Sequence, residues 1–398
     1  MNPISQSPAF PSRPWPRRQF LRTTLAAGTI AALRGSAEPA PDGGWRAAVI
    51  GSTGHGDFGH GLEAIFREVP GIAEVTLADP DPAGRRRAAA TSGAIRTHAD
   101  WKELLRVERP HLVSIASRHA QEHASVALAC IEAGAHLYVE KPFVRDPAEA
   151  DAVLQAADRR GRRVAVAHTM RMSPAAQAIL AALRSGRIGE LREIHAWGKQ
   201  DHRSGGEDLM VLGSHLFDFF RLYAGDPLWV TARVLQKGRD IVASDRRRVA
   251  DDVGWVAGNQ VSAQFAFAEG VTGTFTSDPF LRETTAKWGL ELLGSRGSAR
   301  LNCDLAPSAF LRVSEPWGPS GRQDRWVPLE GVAPMSPSDH NRLPVADWLA
   351  AIRESREPAC SGRNGAWAVE MVAGVYQAAL GGSRVRFPLA ARRHPLEP

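Results

Sequence analysis

From Trp45 onward, short apolar runs alternate with longer stretches in which apolar positions recur at helical spacing. Five of the apolar runs predict buried strands, at residues 47–50, 74–78, 111–116, 136–139 and 163–167. Helices are predicted between them at residues 62–68, 122–133 and 146–160. Because strands and helices alternate, we expect an α/β fold with a doubly wound parallel sheet over residues 45–168.

The pattern changes after residue 168. Residues 207–223 predict an amphipathic helix. Strands are then predicted at residues 229–234, 253–267, 271–276, 290–293 and 299–302. A loop rich in Pro, Gly and Ser at 303–338 precedes two predicted helices at 342–353 and 366–380. These elements indicate a second domain over residues 169–390 that contains an antiparallel sheet.

The first 40 residues carry a different pattern. The paired Arg17 and Arg18 precede a mildly apolar run, Leu25 to Leu33, and small residues up to Ala37. This order resembles a twin-arginine export signal spanning residues 1–40. The apolar run is shorter than the roughly 20 residues that a membrane span requires. We therefore expect the twin-arginine translocase as a partner during export, a periplasmic or other extracytoplasmic location, and no membrane insertion after processing.

Composition places the chain among folded globular proteins, because 43% of its 398 residues are hydrophobic and 23% are charged. The formal net charge of +6 falls to about +1 when residues 1–37, with five arginines and no acid, are set aside. No basic stripe with interleaved aromatics occurs, so nucleic acid is not an expected partner. The three cysteines lack CxxC spacing, so neither a metal site nor a disulfide framework is expected.

A glycine-rich segment follows the first predicted strand. One fingerprint register runs through Gly51, Thr53 and Gly56, with threonine at the middle position, and a second starts at Gly54. Glycines between a strand and a helix are typical of dinucleotide sites, because they let the backbone approach the pyrophosphate at the helix N-terminus. We predict that the loop as a whole, with Gly51, Thr53, Gly54 and Gly56, binds NAD.

An acid follows the second predicted strand. Asp79 is placed to accept hydrogen bonds from the ribose hydroxyls of the adenosine half and to repel a 2′-phosphate, which favours NAD over NADP. NADP stays open because Arg85, Arg86 and Arg87 follow closely, and an arginine there could bind the 2′-phosphate. The alternative for these arginines is a solvated helix face.

The sequence Glu140-Lys141-Pro142 follows the predicted strand 136–139. Open α/β sheets bind their ligands at this carboxyl end of the strands. The chain has five lysines against 44 arginines, so a lysine at this position calls for a chemical reason. A compact ammonium can polarise a hydroxyl or carbonyl oxygen, and its pKa shifts readily on burial. Lys141 is therefore a candidate catalytic residue, and Glu140 and Lys141 are candidate cofactor contacts.

Three polar residues interrupt the apolar surface of the predicted helix 207–223. Asp208 and His215 are seven residues apart, roughly two helical turns, and Asp218 lies one turn beyond His215. A histidine near a carboxylate is suited to take a proton from a substrate hydroxyl. His215 is therefore the candidate base, and Asp208 is its candidate supporting acid.

Several motifs resemble, in their order along the chain, those of the glucose-fructose oxidoreductase, inositol dehydrogenase and MocA (Gfo/Idh/MocA) superfamily. They are the glycine-rich loop, Asp79, residues 117–123, Glu140-Lys141-Pro142, residues 168–174 and Gly213-Ser214-His215. The resemblance covers nearly everything after Trp45. It implies a Rossmann domain followed by an α+β domain with a large, mostly antiparallel open sheet. The family's usual Asp four residues before the histidine is replaced here by Val211.

The resemblance also implies a function: an exported NAD(H)-dependent oxidoreductase of a sugar or cyclic polyol, with the cofactor tightly bound. His215 would take the hydroxyl proton, Lys141 would stabilise the oxygen, and the nicotinamide would accept the hydride. Glu140 would orient Lys141, and Asp208 or Asp218 would orient His215. The candidate substrate contacts are Arg171, His123 and Asp218.

A second subunit is a further implication of the family resemblance. The outer face of the second sheet would need cover if Trp255, Val261, Phe265 and Phe267 lay on it. We therefore expect a homodimer or homotetramer.

Other functions stay open from sequence alone. Free NAD is scarce outside the cytoplasm, so a bound cofactor would have to be reset in place. That requirement also fits coupled oxidation and reduction of two sugars, or an NAD-dependent glycosidase or lyase that oxidises its substrate transiently. A non-catalytic sugar- or NAD-binding protein is the alternative outside enzymology, supported by Val211 and the irregular glycine loop.

Overall fold

The computed structural model describes residue 41 and residues 43–281, 287–304, 306–313, 325–336 and 339–398. The predicted twin-arginine signal at residues 1–40 lies outside these ranges. Within them, no helix combines the length and the apolar character that crossing a membrane requires.

Within the described residues, the first sheet contains six parallel strands in the order β3-β2-β1-β4-β5-β6. The strands are β1 Trp45–Ile50, β2 Ile72–Ala78, β3 Arg96–His98, β4 Leu112–Ile115, β5 His136–Val139 and β6 Val164–Val166. The helices between them are α1 Pro82–Ser92, α2 Trp101–Glu108, α3 His123–Glu132 and α4 Pro147–Arg160. This is the predicted doubly wound parallel sheet, and its strand order reverses between β1 and β4.

The helix predicted at residues 62–68 is wrong in extent. The structure has only a 3₁₀ turn, Leu62–Ala64. Gly61 before it and Glu68 after it have left-handed backbone, with φ of +77° and +61°, which an α-helix cannot accommodate. The glycine-rich loop is therefore followed by a short turn, and the long helix that usually lies under a bound pyrophosphate is absent from this segment.

The second sheet has ten strands in the described residues, and all its neighbouring pairs except β7 with β11 are antiparallel. The strands are β7 Leu191–Trp197, β8 Trp229–Gln236, β9 Arg239–Asp240, β10 Gln260–Ala266, β11 Thr272–Ser277, β12 Gly289–Gly294, β13 Gly297–Asn302, β14 Ser308–Val313, β15 Val327–Pro328 and β16 Val385–Arg386. The expected mostly antiparallel sheet of the second domain is confirmed.

Helices cover one face of the second sheet. They are α5 Pro174–Arg184, the short α6 Gly206–Asp208, α7 Ser214–Ala224 and α9 Gly362–Gly381. Val261, Phe265 and Phe267 are buried in the core between this sheet and its helices. They therefore do not lie on the outer face, and the expectation of a second subunit draws no support from these three residues.

Helix α8, Arg342–Arg353, lies far along the chain but packs on the first sheet. Trp348 is fully buried, and its ring lies 5.8 Å from that of Tyr138 on β5 and 6.4 Å from that of Phe66. The next helix, α9, contacts both domains, because it packs against α4 and β6 of the first and against α7 and β8 of the second. The closing helices therefore join the two domains into one body.

Candidate active site

Two cavities lie along the carboxyl edge of the first sheet. The smaller, about 370 Å³, is lined by Gly51 after β1 and Ser117 after β4, and also by Ser52, His55 and Trp101. This is the point where the strand order reverses, which is where open α/β sheets bind dinucleotides. An aromatic ring, two hydroxyls and a glycine turn around this space form a lining that fits the adenosine end of NAD.

The glycine loop makes a tight turn between Ser52 and Asp57, which pair as an isolated bridge. Gly54 and Gly56 have φ of +86° and +85°, a conformation that favours glycine. A Cβ at Gly56 would lie 2.6 Å from the His119 amide nitrogen, so the loop also needs glycine there to pack against the segment after β4. Both glycines are therefore required by the shape of the turn.

Thr53 changes the role expected of Asp79. The Thr53 amide and hydroxyl donate to Asp79 Oδ2 at 3.1 and 2.7 Å, and the Asp81 amide donates to Oδ1 at 2.8 Å. Asp79 is fully buried, so its carboxylate does not line the smaller cavity. The predicted ribose acceptor thus serves here as a support of the loop, because a threonine side chain stands where the fingerprint has glycine.

The larger cavity, about 710 Å³, lies beyond β5 and β6 and is shared by the two domains. The first domain contributes Lys141 and His60, and the second contributes His215 and Trp288. Further lining comes from the predicted loop and the start of α8, including Asp304, His340 and Asn341. The structure therefore brings together Lys141 and His215, the two principal residues predicted from sequence.

Lys141 is nearly buried at the floor of this cavity. Burial lowers the pKa of its ammonium group, and the charge of Glu140 opposes that effect. The Glu140 carboxylate is fully buried and accepts a hydrogen bond from His60 Nδ1 at 2.5 Å. Glu140 therefore contacts His60 directly and acts on Lys141 through its charge.

His215 is surrounded by rings. Its ring centroid lies 5.1 Å from that of His168 and 5.8 Å from that of Trp288. Burial, followed by the nearby His168 and Lys141, lowers the pKa of His215 well below its usual value. Both ring nitrogens of His168 are buried and make no hydrogen bond within the described residues. His215 is therefore a neutral imidazole at neutral pH.

The predicted support of His215 by Asp208 is wrong. The Asp208 carboxylate accepts from the Lys199 amide at 2.6 Å and from Ser277 Oγ at 2.7 Å, on the side of the second sheet. Residues Leu209–Gly213 form a π-helix, whose i→i+5 bonding turns the chain less per residue than an α-helix. The two-turn relation assumed between residues 208 and 215 therefore does not hold.

The three candidate substrate contacts do not line the larger cavity. Arg171 and Asp218 form an ion pair with Nη1 and Oδ1 2.8 Å apart, and Arg171 also donates to the Asp218 carbonyl. His123 lines the smaller cavity, where its ring nitrogens face the carbonyls of Pro142, Phe143 and Ser117. The contacts of His123 fix the backbone after β4 and β5, and the Arg171–Asp218 pair joins the turn after β6 to helix α7.

His60 is a polar cavity residue that the sequence reasoning missed, as it missed Trp288, His340 and Asn341. It lies between Gly59 and Gly61, and only the glycines drew attention to this segment. A histidine enclosed by two glycines in a ligand-binding loop is a signal that could have marked it. No group of three His, Cys, Asp or Glu side chains within the described ranges is arranged to hold a metal ion.

Two family models match the chain. The first, described as an oxidoreductase family with an NAD-binding Rossmann fold, matches residues 45–168. The second, described as a GFO/IDH/MocA C-terminal domain, matches residues 176–300. Together they cover more than half of the chain and both of its domains.

Characterised relatives match over much of their length. The chain is 26% identical over 358 residues to a D-apiose dehydrogenase of Paraburkholderia graminis, covering 86% of this chain and 89% of the relative. It is 24% identical over 260 residues to a levoglucosan dehydrogenase of Pseudarthrobacter phenanthrenivorans, covering 57% and 64% of the two chains.

A solved levoglucosan dehydrogenase structure, in complex with NADH and levoglucosan, has the same fold. It superimposes with a TM-score of 0.70 at 21% identity, covering 86% of this chain and 99% of that chain. The matched domain models and the relatives indicate the same family, and the cavity at the strand-order reversal lies where this family's Rossmann domain would bind NAD. The chain belongs to the Gfo/Idh/MocA family of NAD-binding oxidoreductases.

Proposed function

We propose that this chain oxidises a hydroxyl group of a sugar or cyclic polyol, using Lys141 and His215. The observation that carries the proposal is that these two side chains, from different domains, line one cavity of about 710 Å³. A cavity of this size has room for a nicotinamide and a monosaccharide together. The names of the two relatives, dehydrogenases of D-apiose and levoglucosan, support small sugars as the substrate class.

His215 acts as the base in this proposal. Its lowered pKa keeps the imidazole neutral, so one ring nitrogen is free to accept the hydroxyl proton. Trp288 and His168 pack around the ring, and no carboxylate of the described residues forms a hydrogen bond with it. His215 is therefore a weaker base than a histidine paired with an acid, and it depends on Lys141 to make the hydroxyl more acidic.

Lys141 supplies that help. Its ammonium donates a hydrogen bond to the substrate oxygen and stabilises the negative charge that develops as the proton leaves. Gly51, Ser52, Trp101 and Ser117 would hold the adenosine end of NAD. The bound cofactor would supply the acceptor for the hydride from the carbon.

The proposal is tested with purified protein, NAD and a panel of aldoses, ketoses, anhydrosugars and inositols, with NADH formation as the readout. We expect Lys141→Ala and His215→Ala each to lower kcat by about 10²- to 10⁴-fold while the protein stays folded and still binds NAD. His195→Ala, at an exposed histidine on β7, serves as the control. Undiminished turnover in either cavity variant would refute the assigned role.

The same panel separates the two alternatives from the dehydrogenase. Aryl glycosides are included, because release of the aryl alcohol without net NADH formation would favour an NAD-dependent glycosidase. Ligand binding without turnover on any compound would favour a non-catalytic protein. Mass spectrometry of the supernatant after denaturation establishes whether NAD or NADP copurifies as a tightly bound cofactor.

We also propose that the chain is exported by the twin-arginine translocase to an extracytoplasmic location. The support is the order of Arg17, Arg18 and the apolar run 25–33 in the sequence. Replacing both arginines by lysine keeps the charge, and we expect this double variant to accumulate as uncleaved precursor inside the cell. Export that continues unchanged in the double variant would exclude this route.

A further inference from the structure

His60 enters the larger cavity on a strained turn. Its φ of +46° is in the left-handed region, which is uncommon for residues other than glycine. Gly61, the next residue, also has positive φ, at +77°. Non-glycine residues in this conformation persist where the surrounding structure holds them, and they cluster at ligand sites.

Contacts on both sides of the turn hold His60 in place. Its Nδ1 donates to the buried Glu140 carboxylate, and a Cβ at Gly59 would lie 2.8 Å from the same Oε1 atom. Asn341 Nδ2 donates to the His60 carbonyl at 2.9 Å, and Asn341 Oδ1 accepts from Tyr138 at 2.9 Å. Ring and backbone are thus fixed by separate groups of the first domain and of the segment preceding α8.

This arrangement leaves one ring nitrogen available. Because Nδ1 is the donor to Glu140, Nε2 is the remaining polar atom, and it makes no hydrogen bond within the described residues. The side chain is 56% exposed and lines the cavity that also contains Lys141 and His215. The proposed oxidation uses one ammonium and one imidazole, so it gives this second imidazole no task.

We propose that His60 Nε2 binds a second hydroxyl of the substrate, one that is not oxidised, and so selects polyhydroxylated rings over mono-alcohols and deoxy sugars. This inference rests on the proposed function, since it concerns the same cavity and the same substrate. A hydroxyl can donate or accept, so it pairs with Nε2 in either protonation state of the ring. Glu140 and Asn341 are the positioning residues of this contact.

The experiment compares the best sugar from the panel with each of its monodeoxy analogues, in the wild type and in His60→Asn. Asparagine tolerates positive φ and can keep a donor toward Glu140, but it has no nitrogen at the Nε2 position. In the wild type, loss of one hydroxyl other than the oxidised one should lower kcat/KM by at least about 100-fold. In His60→Asn, loss of the same hydroxyl should lower kcat/KM by less than about 5-fold, because the nitrogen that binds this hydroxyl is already absent.

His195→Asn is the matched control, because His195 also pairs with a glutamate, Glu193, at 2.7 Å, but lies outside the cavity. It should keep the full deoxy penalty. A penalty that is equal in His60→Asn and wild type for every analogue overturns the proposal. A second variant, His60→Gln, is measured in parallel. The NAD content and thermal stability of both variants show whether each of them is folded.

Calorimetric titration of the NADH-loaded protein with the same sugars distinguishes failure of the proposed oxidation from failure of the proposed His60 contact. If no sugar is oxidised but deoxy analogues bind more weakly to wild type and not to His60→Asn, the proposed oxidation fails and the His60 contact stands. If affinity shows no such dependence on His60 either, both fail.

Discussion

At the scale of single residues, the main finding is the environment of His215. The base has aromatic and imidazole neighbours in place of the expected carboxylate, and burial is the largest cause of its lowered pKa. An imidazole can act as a general base only where it is unprotonated, at a pH above its own pKa. The surroundings of His215 therefore determine the pH range in which the proposed reaction can run.

The pH profile of kcat/KM tests this environment. His215 must be unprotonated, so the acid limb should lie well below pH 6.5, its usual pKa. Lys141 must be protonated, and because burial lowers its pKa, the alkaline limb should lie below 10.5. Lys141→Arg keeps the charge at all these pH values and should abolish the alkaline limb. An acid limb at or above pH 6.5 would contradict the assignment.

Residue-scale prediction succeeded where chemistry is tied to a strand end or a motif. Lys141 follows β5 and His215 follows a Gly-Ser pair, and both line the same cavity. It failed where a contact depends on three-dimensional packing. The pairing of Asp79 with Thr53, of Asp208 with Ser277 and of His60 with Glu140 joins residues 26, 69 and 80 positions apart. Periodicity carries no information about such distances.

At the scale of elements, helix α8 shows how far an amphipathic pattern can be interpreted. The sequence predicted its bounds, residues 342–353, correctly. Its apolar side, Val345, Trp348, Leu349 and Ile352, packs in the core of the first sheet together with Trp45. An apolar stripe shows that a helix packs against something but not which sheet it meets.

Replacing Trp348 by Ala tests the contribution of α8 to the first domain. Trp348 is completely buried and its ring contacts those of Phe66 and Tyr138, so its truncation removes all of these packing contacts. We expect the free energy of unfolding to fall by about 3–5 kcal/mol, measured by denaturant titration. Phe280→Ala, at a side chain that is 77% exposed, is the control and should change it by less than about 0.5 kcal/mol. A loss similar to that of the control would contradict the stabilising role assigned to Trp348.

Other elements differ from their sequence patterns for local reasons. Strand β5 was predicted at its observed bounds. Its four residues are all buried, and a strand that is buried along its whole length has a mostly apolar sequence. Strand β3, Arg96–His98, was missed because it contains no apolar residue. The helix expected at 62–68 was interrupted by left-handed residues on either side of it, and a single sequence does not reveal positive φ outside glycine.

At the scale of the whole molecule, buried histidines couple folding to acidity. Burial lowers the pKa of His168, His215 and His394 in the folded state, that of His394 to about 4. Below about pH 6.5, the unfolded chain, with histidine pKa near 6.5, therefore binds protons that the folded chain does not bind. Stability is present above pH 6.5 and is lost as the pH falls toward the folded values, by up to about 1.4 kcal/mol per pH unit for each histidine.

Asp208 acts in the opposite direction. Burial raises its pKa to about 6, so between pH 6 and its usual 3.8 the folded chain binds a proton that the unfolded chain does not. Stability gains from this group as the pH falls. Asp208→Asn should therefore make the loss of stability below pH 6 steeper than in wild type, as measured by thermal unfolding across pH 4–7. An identical pH dependence in both proteins would refute this balance.

The placement of α8 orders events during synthesis. Strand β1 leaves the ribosome about 300 residues before the helix that covers it, an interval of roughly 15–60 s at 5–20 residues per second. Until then the nascent first sheet exposes Trp45, Val49 and Tyr138, and His60 lacks its Asn341 clamp. We therefore expect the first sheet to be completed, and the nucleotide to be bound, only after α8 has been synthesised, and export by the proposed twin-arginine route would have to follow these steps.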